Sequence, residues 1–344
     1  MVARTQYQRR ESSFELIRIV AQFMIVIYHL FLFFMYPMYG DTFYKAVQIP
    51  LHIGVLLFVL ISGYFGIKTS AKGFLKLIGM IAIYYIPINV VNMCLQNEGG
   101  NEVVKSFLFI SHTPYWFMRS YICLYLFAPV LNTYLRQTDI AKRIYLLSVL
   151  VFISIYLGTL NGDPSLTDGK NLAHFSLLYC IGDTLHRYRS YWFKFNKTYL
   201  ILTYITLNFI LVFMYMIFEG QIIGKMIWRL SYPYCSPMLL LNALLLFVIL
   251  GNLRFHSKLV NWIASSTLAI YLIHSHPFVL EYIGNLIPWL GEKSPNVLIF
   301  ILYLVLYSLI IMMVSILIDK ALSPLWRLLD NWGDRINLKF SKMI

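Results

Sequence analysis

The chain has 344 residues, of which 59% are hydrophobic and only 12% charged, with a net charge of +13. A soluble domain carries about 25% charged residues, so a chain this poor in charge must turn most of its outer surface to lipid. The basic excess does not point to nucleic acid, because the bases are scattered over short loops rather than gathered on one face.

In hydrocarbon the backbone must satisfy itself, which leaves helices or a closed barrel. The apolar runs here are long and lack period-two alternation, so an all-α, polytopic membrane protein of about ten transmembrane helices is expected. In chain order the predicted spans cover 14–36, 47–66, 74–95, 115–135, 142–160, 172–187, 198–218, 233–250, 259–280 and 297–319. The first is too long for a signal-peptide core, contains Arg18 and lacks a small-residue cleavage site, so no cleavable leader is expected. Bases alternate with the spans. One side holds Arg4, Arg9 and Arg10, then Lys68, Lys72 and Lys76, then Arg136, Lys142 and Arg143. It continues with Arg187, Arg189, Lys194 and Lys197, then Arg254 and Lys258, then Lys320, Arg327, Arg335, Lys339 and Lys342. The other side holds only Lys45, Lys105, Lys170, Lys225, Arg229 and Lys293. By the positive-inside rule both termini face the cytoplasm. The whole chain, 1–344, is expected to be one membrane domain, with a short polar cytoplasmic tail at 323–344 whose Trp326 and Trp332 suit the interface.

Ionisable groups inside the bilayer are functional candidates by default, and the first span holds Glu15, Arg18 and His29. Glu15 and Arg18 are three apart and can pair on one helix face. Arg18 and His29 are eleven apart, on one face but about 16 Å apart along the axis, a spacing suited to gripping two ends of one long ligand. His29 is suited to take a proton from a hydroxyl. After the second span, Lys68, Lys72 and Lys76 recur every four residues and form a ridge if helical; topology lysines and phosphate ligands explain them equally well. Tyr115-Trp116-Phe117 opens the fourth span where an aromatic belt belongs. Arg119, one turn in, either snorkels to the interface or orients an acceptor. His112, His174, His274 and His276 fall near outer span ends, and Asp183 and Asp319 near cytoplasmic ends, where solvation accounts for them. Cys94, Cys123, Cys180 and Cys235 are scattered without metal or disulfide spacing, and no His/Asp/Glu cluster suggests a metal. The aromatic content of 17% is compatible with sugar stacking, although belts and helix packing explain most of it.

Several segments resemble the membrane acyltransferase 3 family. Glu15-Leu16-Ile17-Arg18-Ile19-Val20 running to Tyr28-His29 is similar to that family's first helix, with Arg, ten residues, then His. Pro50-Leu51 through Leu60-Ile61-Ser62-Gly63-Tyr64 resembles its second helix. Tyr115-Trp116-Phe117 followed by Leu124-Tyr125-Leu126 and Pro129-Val130-Leu131-Asn132 resembles its fourth. Ser265-Ser266-Thr267-Leu268-Ala269-Ile270-Tyr271-Leu272-Ile273-His274 resembles a late segment. The resemblance implies transfer of an acyl group, usually acetyl, from cytoplasmic acetyl-CoA or another acyl-CoA to a hydroxyl of an extracytoplasmic cell-surface glycan or lipid-linked glycan, in the plasma or inner membrane. It implies His29 as catalytic base or transient acyl carrier, Arg18 as a contact to the CoA side, and Lys68, Lys72 and Lys76 as further donor contacts; Glu15, paired with Arg18, joins His29 and Arg18 as a catalytic candidate. The family's basic cluster is arginine-rich where this chain has lysines, which bind phosphate only as point charges. Trp116, Arg119, Tyr125, Tyr271 and His274 are the candidate acceptor contacts. The alternative expectation is a glycan or glycolipid translocator that needs no thioester and tolerates loss of His29.

Overall fold

The computed structural model describes residues 11–34, 41–96 and 114–340, and among these every regular element is a helix. His112 and Lys105 lie outside the described residues. Helix α1 (Ser12–Phe34) runs through the middle of the molecule. Its start is fixed by Ser12, whose hydroxyl accepts from the Ser257 amide and donates to Asn261 Oδ1, both at 2.9 Å. Helices α2 (Asp41–Leu51) and α3 (Gly54–Phe65) form one apolar stretch interrupted at His52 and Ile53, just after Pro50 removes a backbone donor.

Next come α4 (Ala71–Gln96), α5 (Trp116–Gln137), and α6 (Ile140–Val151), which runs on as a π-helix over Phe152–Asn161. They are followed by α7 (Leu172–Arg187), α8 (Lys197–Phe218), α9 (Ile222–Ser231) and α10 (Pro237–Gly251). The last third holds α11 (Lys258–Ala264), α12 (Thr267–His274), α13 (Pro277–Gly284), α14 (Ile287–Glu292), α15 (Val297–Ala321) and α16 (Ser323–Phe340). Several starts carry a side-chain cap: Asp139, Asn171, Asn196, Ser257 and Asn296 each accept from an amide of the first turn.

Each predicted span falls on a helix, but the count of ten is corrected. Six segments among the described residues are long and apolar enough to cross a membrane: Ser12–Phe31, Lys45–Phe65, Ala71–Leu95, Ile140–Asn161, Lys197–Phe218 and Val297–Ala321. The pair Lys258–His274 and Pro277–Glu292, bent by 84°, makes a seventh if taken as one span. The remaining expected spans fail for physical reasons. Helix α7 has 16 residues and α10 has 15, short of the roughly 20 that a bilayer needs. Helix α5 is long enough, but Arg119, Asn132 and Arg136 make it too polar. Around the outside, α8 buries only Tyr215, and Phe209, Leu298 and Met313 are among many large apolar side chains left exposed, the surface that a lipid-facing protein presents.

Helix α1 packs on α2, α3, α10, α11, α12 and α15, and the closest pairing elsewhere joins α3 to α7. Small residues permit it: a Cβ on Gly63 would stand 2.1 Å from the Tyr179 carbonyl oxygen, and one on Gly182 2.3 Å from that of Leu60.

Two acidic residues for which solvation is the simple account have protein partners, and only Asp183 stays partly exposed. Asp183 pairs with Arg143, which is 2% exposed, and Arg143 also donates to the Leu135 carbonyl at 2.8 Å. Asp319 is buried and accepts from Tyr84 at 2.7 Å and Ser266 at 2.6 Å. The expected polar tail is also more than a tail. Residues 323–340 form the amphipathic helix α16, packed along α4, with Lys76 to Asp330 at 3.0 Å and Lys72 to Asp334 at 2.8 Å.

Candidate active site

On α1, Arg18, Gln22, Ile25 and His29 follow the i, i+4, i+7, i+11 stripe of one helix face. Two cavities lie along it. The first is lined by Arg18, Gln22, Ile25, Phe58, Ser62 and Tyr121, among others. The second is lined by Ile25, His29, His52, Trp116 and Tyr234, among others. They share Ile25, Val55, Phe117 and Tyr271 as walls, so the Arg18 and His29 ends adjoin through common side chains. A third cavity shares Tyr28, His29, His52, Trp116 and Tyr234 with the second and adds Asp168, Lys170 and Tyr232. Asp168 and Lys170 are exposed, so this third cavity reaches the surface beyond His29.

Two histidines meet beside the second cavity. The His274 Nδ1 lies 2.6 Å from the Ile270 carbonyl oxygen, which only accepts, so Nδ1 carries the proton. Neutral His274 therefore presents Nε2 as an acceptor, and His29 Nδ1, 3.1 Å away, donates to it. That fixes the neutral His29 tautomer with a bare lone pair on Nε2, for which no described residue supplies a hydrogen bond. The backbone explains why His274 stands there. Helix α12 ends at His274 because Pro277 cannot continue it and holds His276 extended (φ −66°, ψ 130°). A base oriented by a second group is the arrangement that general-base chemistry requires.

Around this pair, His52 Nδ1 lies 2.6 Å from the Tyr232 carbonyl oxygen, which likewise leaves its Nε2 as an acceptor. The His52 ring stacks between Tyr28 and Tyr232 at 4.8 and 4.5 Å. Tyr28 and Tyr232 hydroxyls are 2.7 Å apart, and burial pushes the Tyr232 phenol above its usual range, keeping it neutral. Trp116 and Tyr234 rings are 4.9 Å apart, with Lys170 Nζ 5.6 Å from the Trp116 ring. Asp168 adopts φ +70°, a strained setting for a non-glycine residue; its carbonyl accepts from the Tyr234 amide at 3.1 Å. At the other end, Glu15 is buried and pairs with Arg18 at 2.6 Å, leaving Arg18 about a third exposed.

The structure thus brings Arg18, His29, Trp116 and Tyr271 to adjoining cavities, with Glu15 holding Arg18 and His274 buried behind His29. It does not bring in the rest. Arg119 is exposed and lines none of the three cavities. Tyr125 instead braces the 66–70 loop, its hydroxyl 3.1 Å from both the amide and the carbonyl of Ser70. Lys68 is exposed, while Lys72 and Lys76 face acidic partners on α16. None of the sequence motifs above singles out His52, although an intramembrane histidine beside a helix-breaking proline is itself a signal. Asp168 and Lys170 gave no signal, because only folding sets their loop over the cavity. All four cysteines are free, and no three His, Cys, Asp or Glu side chains gather as a metal site needs among the described residues.

Compared with known proteins, residues 11–320 match the family model described as an acyltransferase domain, that of the acyltransferase 3 family. No curated protein and no solved structure matches the chain.

Proposed function

The chain belongs to the acyltransferase 3 family of membrane acyltransferases, and from that premise we propose that it moves an acyl group, acetyl in the simplest case, from a cytoplasmic acyl-CoA to a hydroxyl of an extracytoplasmic glycan. The observation that carries this reading is the shared wall of the Arg18 and His29 cavities. In this reading the donor lies along α1 with one end in each cavity, displacing side chains of that wall, and the acceptor enters through the cavity lined by Asp168 and Lys170.

In this reading Arg18 takes a phosphate of the donor as a charged, multidentate donor, and Glu15 keeps the guanidinium in place. The His29 Nε2 lone pair accepts the proton of the acceptor hydroxyl as its oxygen attacks the thioester carbonyl. The C–S bond then breaks, and His29 returns the proton to the leaving CoA thiolate. Trp116 and Tyr234 offer aromatic faces to a sugar ring, with Asp168 and Lys170 beside them for its hydroxyls. The whole chain, 1–344, acts as one unit in the plasma or inner membrane with both termini cytoplasmic, as the alternation of bases supports. The test is transfer in sealed inside-out vesicles given labelled acetyl-CoA outside. Label appearing in lumenal glycan supports the reading; glycan movement without any dependence on acyl-CoA overturns it in favour of a translocator.

His274 acts through His29 as a positioning residue. His274→Ala lowers transfer by roughly 10–100-fold, and His274→Gln, which keeps an acceptor for His29 Nδ1, recovers part of it. Equal loss in both variants removes the tautomer assignment. Lys72 and Lys76 can reach a donor phosphate only by leaving Asp334 and Asp330. The Asp330→Asn, Asp334→Asn double variant therefore tightens acyl-CoA binding by about threefold, the scale of a partly exposed ion pair, as measured by titration. An unchanged affinity takes both lysines out of the donor site.

A further inference from the structure

Between Arg18 and His29 stands a side chain that neither the fold nor the chemistry above uses. Gln22 lines the Arg18 cavity and is 0% exposed, yet neither its Nε2 nor its Oε1 has a hydrogen-bond partner. A buried amide without partners is costly, and neighbouring residues on the same stripe are apolar (Ile25) or already paired (Arg18). An amide presents one donor group and one acceptor, so its complement is another amide.

Position says where on a ligand that amide would fall. On the helical rise Gln22 lies about 6 Å from Arg18 and about 10 Å from His29. Pantetheine carries two secondary amides between its thiol and its phosphate. Its far amide is roughly eight bonds from the acyl carbon, which at roughly 1.2 Å per bond of extended chain is about 10 Å. The phosphate follows after roughly six more bonds, about 17 Å from the acyl carbon on the same advance. An acyl-CoA with its carbonyl at His29 and its phosphate at Arg18 therefore sets the far amide level with Gln22.

Resting on the acyl-CoA reading above, we propose that Gln22 is a donor-binding residue that hydrogen-bonds the phosphate-proximal amide of the pantetheine arm, so that the chain selects donors by their arm as well as by their phosphate. The test substitutes Gln22→Met, which keeps length and volume but removes both polar atoms. Acetyl-CoA binding and thermal unfolding are measured on the purified full chain in detergent, with adenosine 3′,5′-bisphosphate, which lacks the arm, as the comparison ligand. The expected result is acetyl-CoA binding weakened about tenfold, bisphosphate binding unchanged, and a ligand-free melting temperature equal to or above that of the wild type. A structural glutamine gives the opposite melting shift, and that outcome overturns the proposal. So does equal weakening for both ligands, or unchanged acetyl-CoA binding, which would mean that the amide is served by water alone. Wild-type protein that binds no acyl-CoA overturns the donor reading itself, a result distinct from a wild type that binds normally and a variant that does too.

Discussion

His29→Ala lowers acyl transfer by roughly 10²–10⁴-fold, the range that a positioned general base contributes, while acyl-CoA binding and the melting temperature stay close to wild type. The separation follows from the geometry. His29 touches the fold mainly through one hydrogen bond, to His274 Nε2 at 3.1 Å, and Ser275 Oγ, 3.2 Å from that same nitrogen, remains to serve it. Its loss leaves the Arg18 cavity intact, because His29 is not among that cavity's walls. The measurement is initial rate against donor concentration, in which kcat falls and KM does not. A parallel fall in binding would place His29 in donor recognition instead.

The largest effect on the fold is expected from Gly182→Leu. The added side chain would begin 2.3 Å from the Leu60 carbonyl oxygen and 2.8 Å from the Tyr64 amide nitrogen, contacts with backbone that no rotamer relieves. Overpacking a core costs about 1–3 kcal/mol when side chains can yield, and here a whole helix must move. Helix α3 would be pushed from α7, and with it Val55, Phe58 and Ser62, which wall the Arg18 cavity. The variant should lose both its folded yield in detergent and its donor binding, as read by size-exclusion profile and titration. Gly182→Ala gives a smaller loss of the same sign. Normal yield and binding in Gly182→Leu would mean that α3 and α7 are not in the contact described.

What the sequence made legible is what lies on one helix. The Arg18–His29 spacing and the Glu15–Arg18 pair are local, and the helical period alone puts them on one face. The positions of the apolar helices were legible for the same reason. Their number as membrane spans was not, because α7 and α10 are short and α5 holds polar residues that are satisfied inside the bundle: Asn132, for instance, donates to the Ile67 carbonyl at 2.9 Å. Pairings between distant segments were also out of reach. Nothing in the spacing of His29 and His274 says that they meet across 245 positions, and nothing near Lys72 announces Asp334. Arg119 and Tyr125 share the fourth predicted span with Trp116, but each helix turn carries them to a different side, one outward and one to the 66–70 loop. Gln22, a neutral residue in an apolar run, becomes conspicuous only once its surroundings leave it without a partner.

The most direct test of the two-ended grip is titration of acetyl-CoA onto purified wild-type, Arg18→Ala and His29→Ala protein, with thioester hydrolysis followed on the same samples. The account predicts that Arg18→Ala weakens binding by roughly 10–100-fold, the loss of one charge-assisted phosphate contact, and that His29→Ala binds normally but does not turn over. A folded wild-type protein that binds no acyl-CoA, or an Arg18→Ala variant that binds as well as wild type, would contradict it.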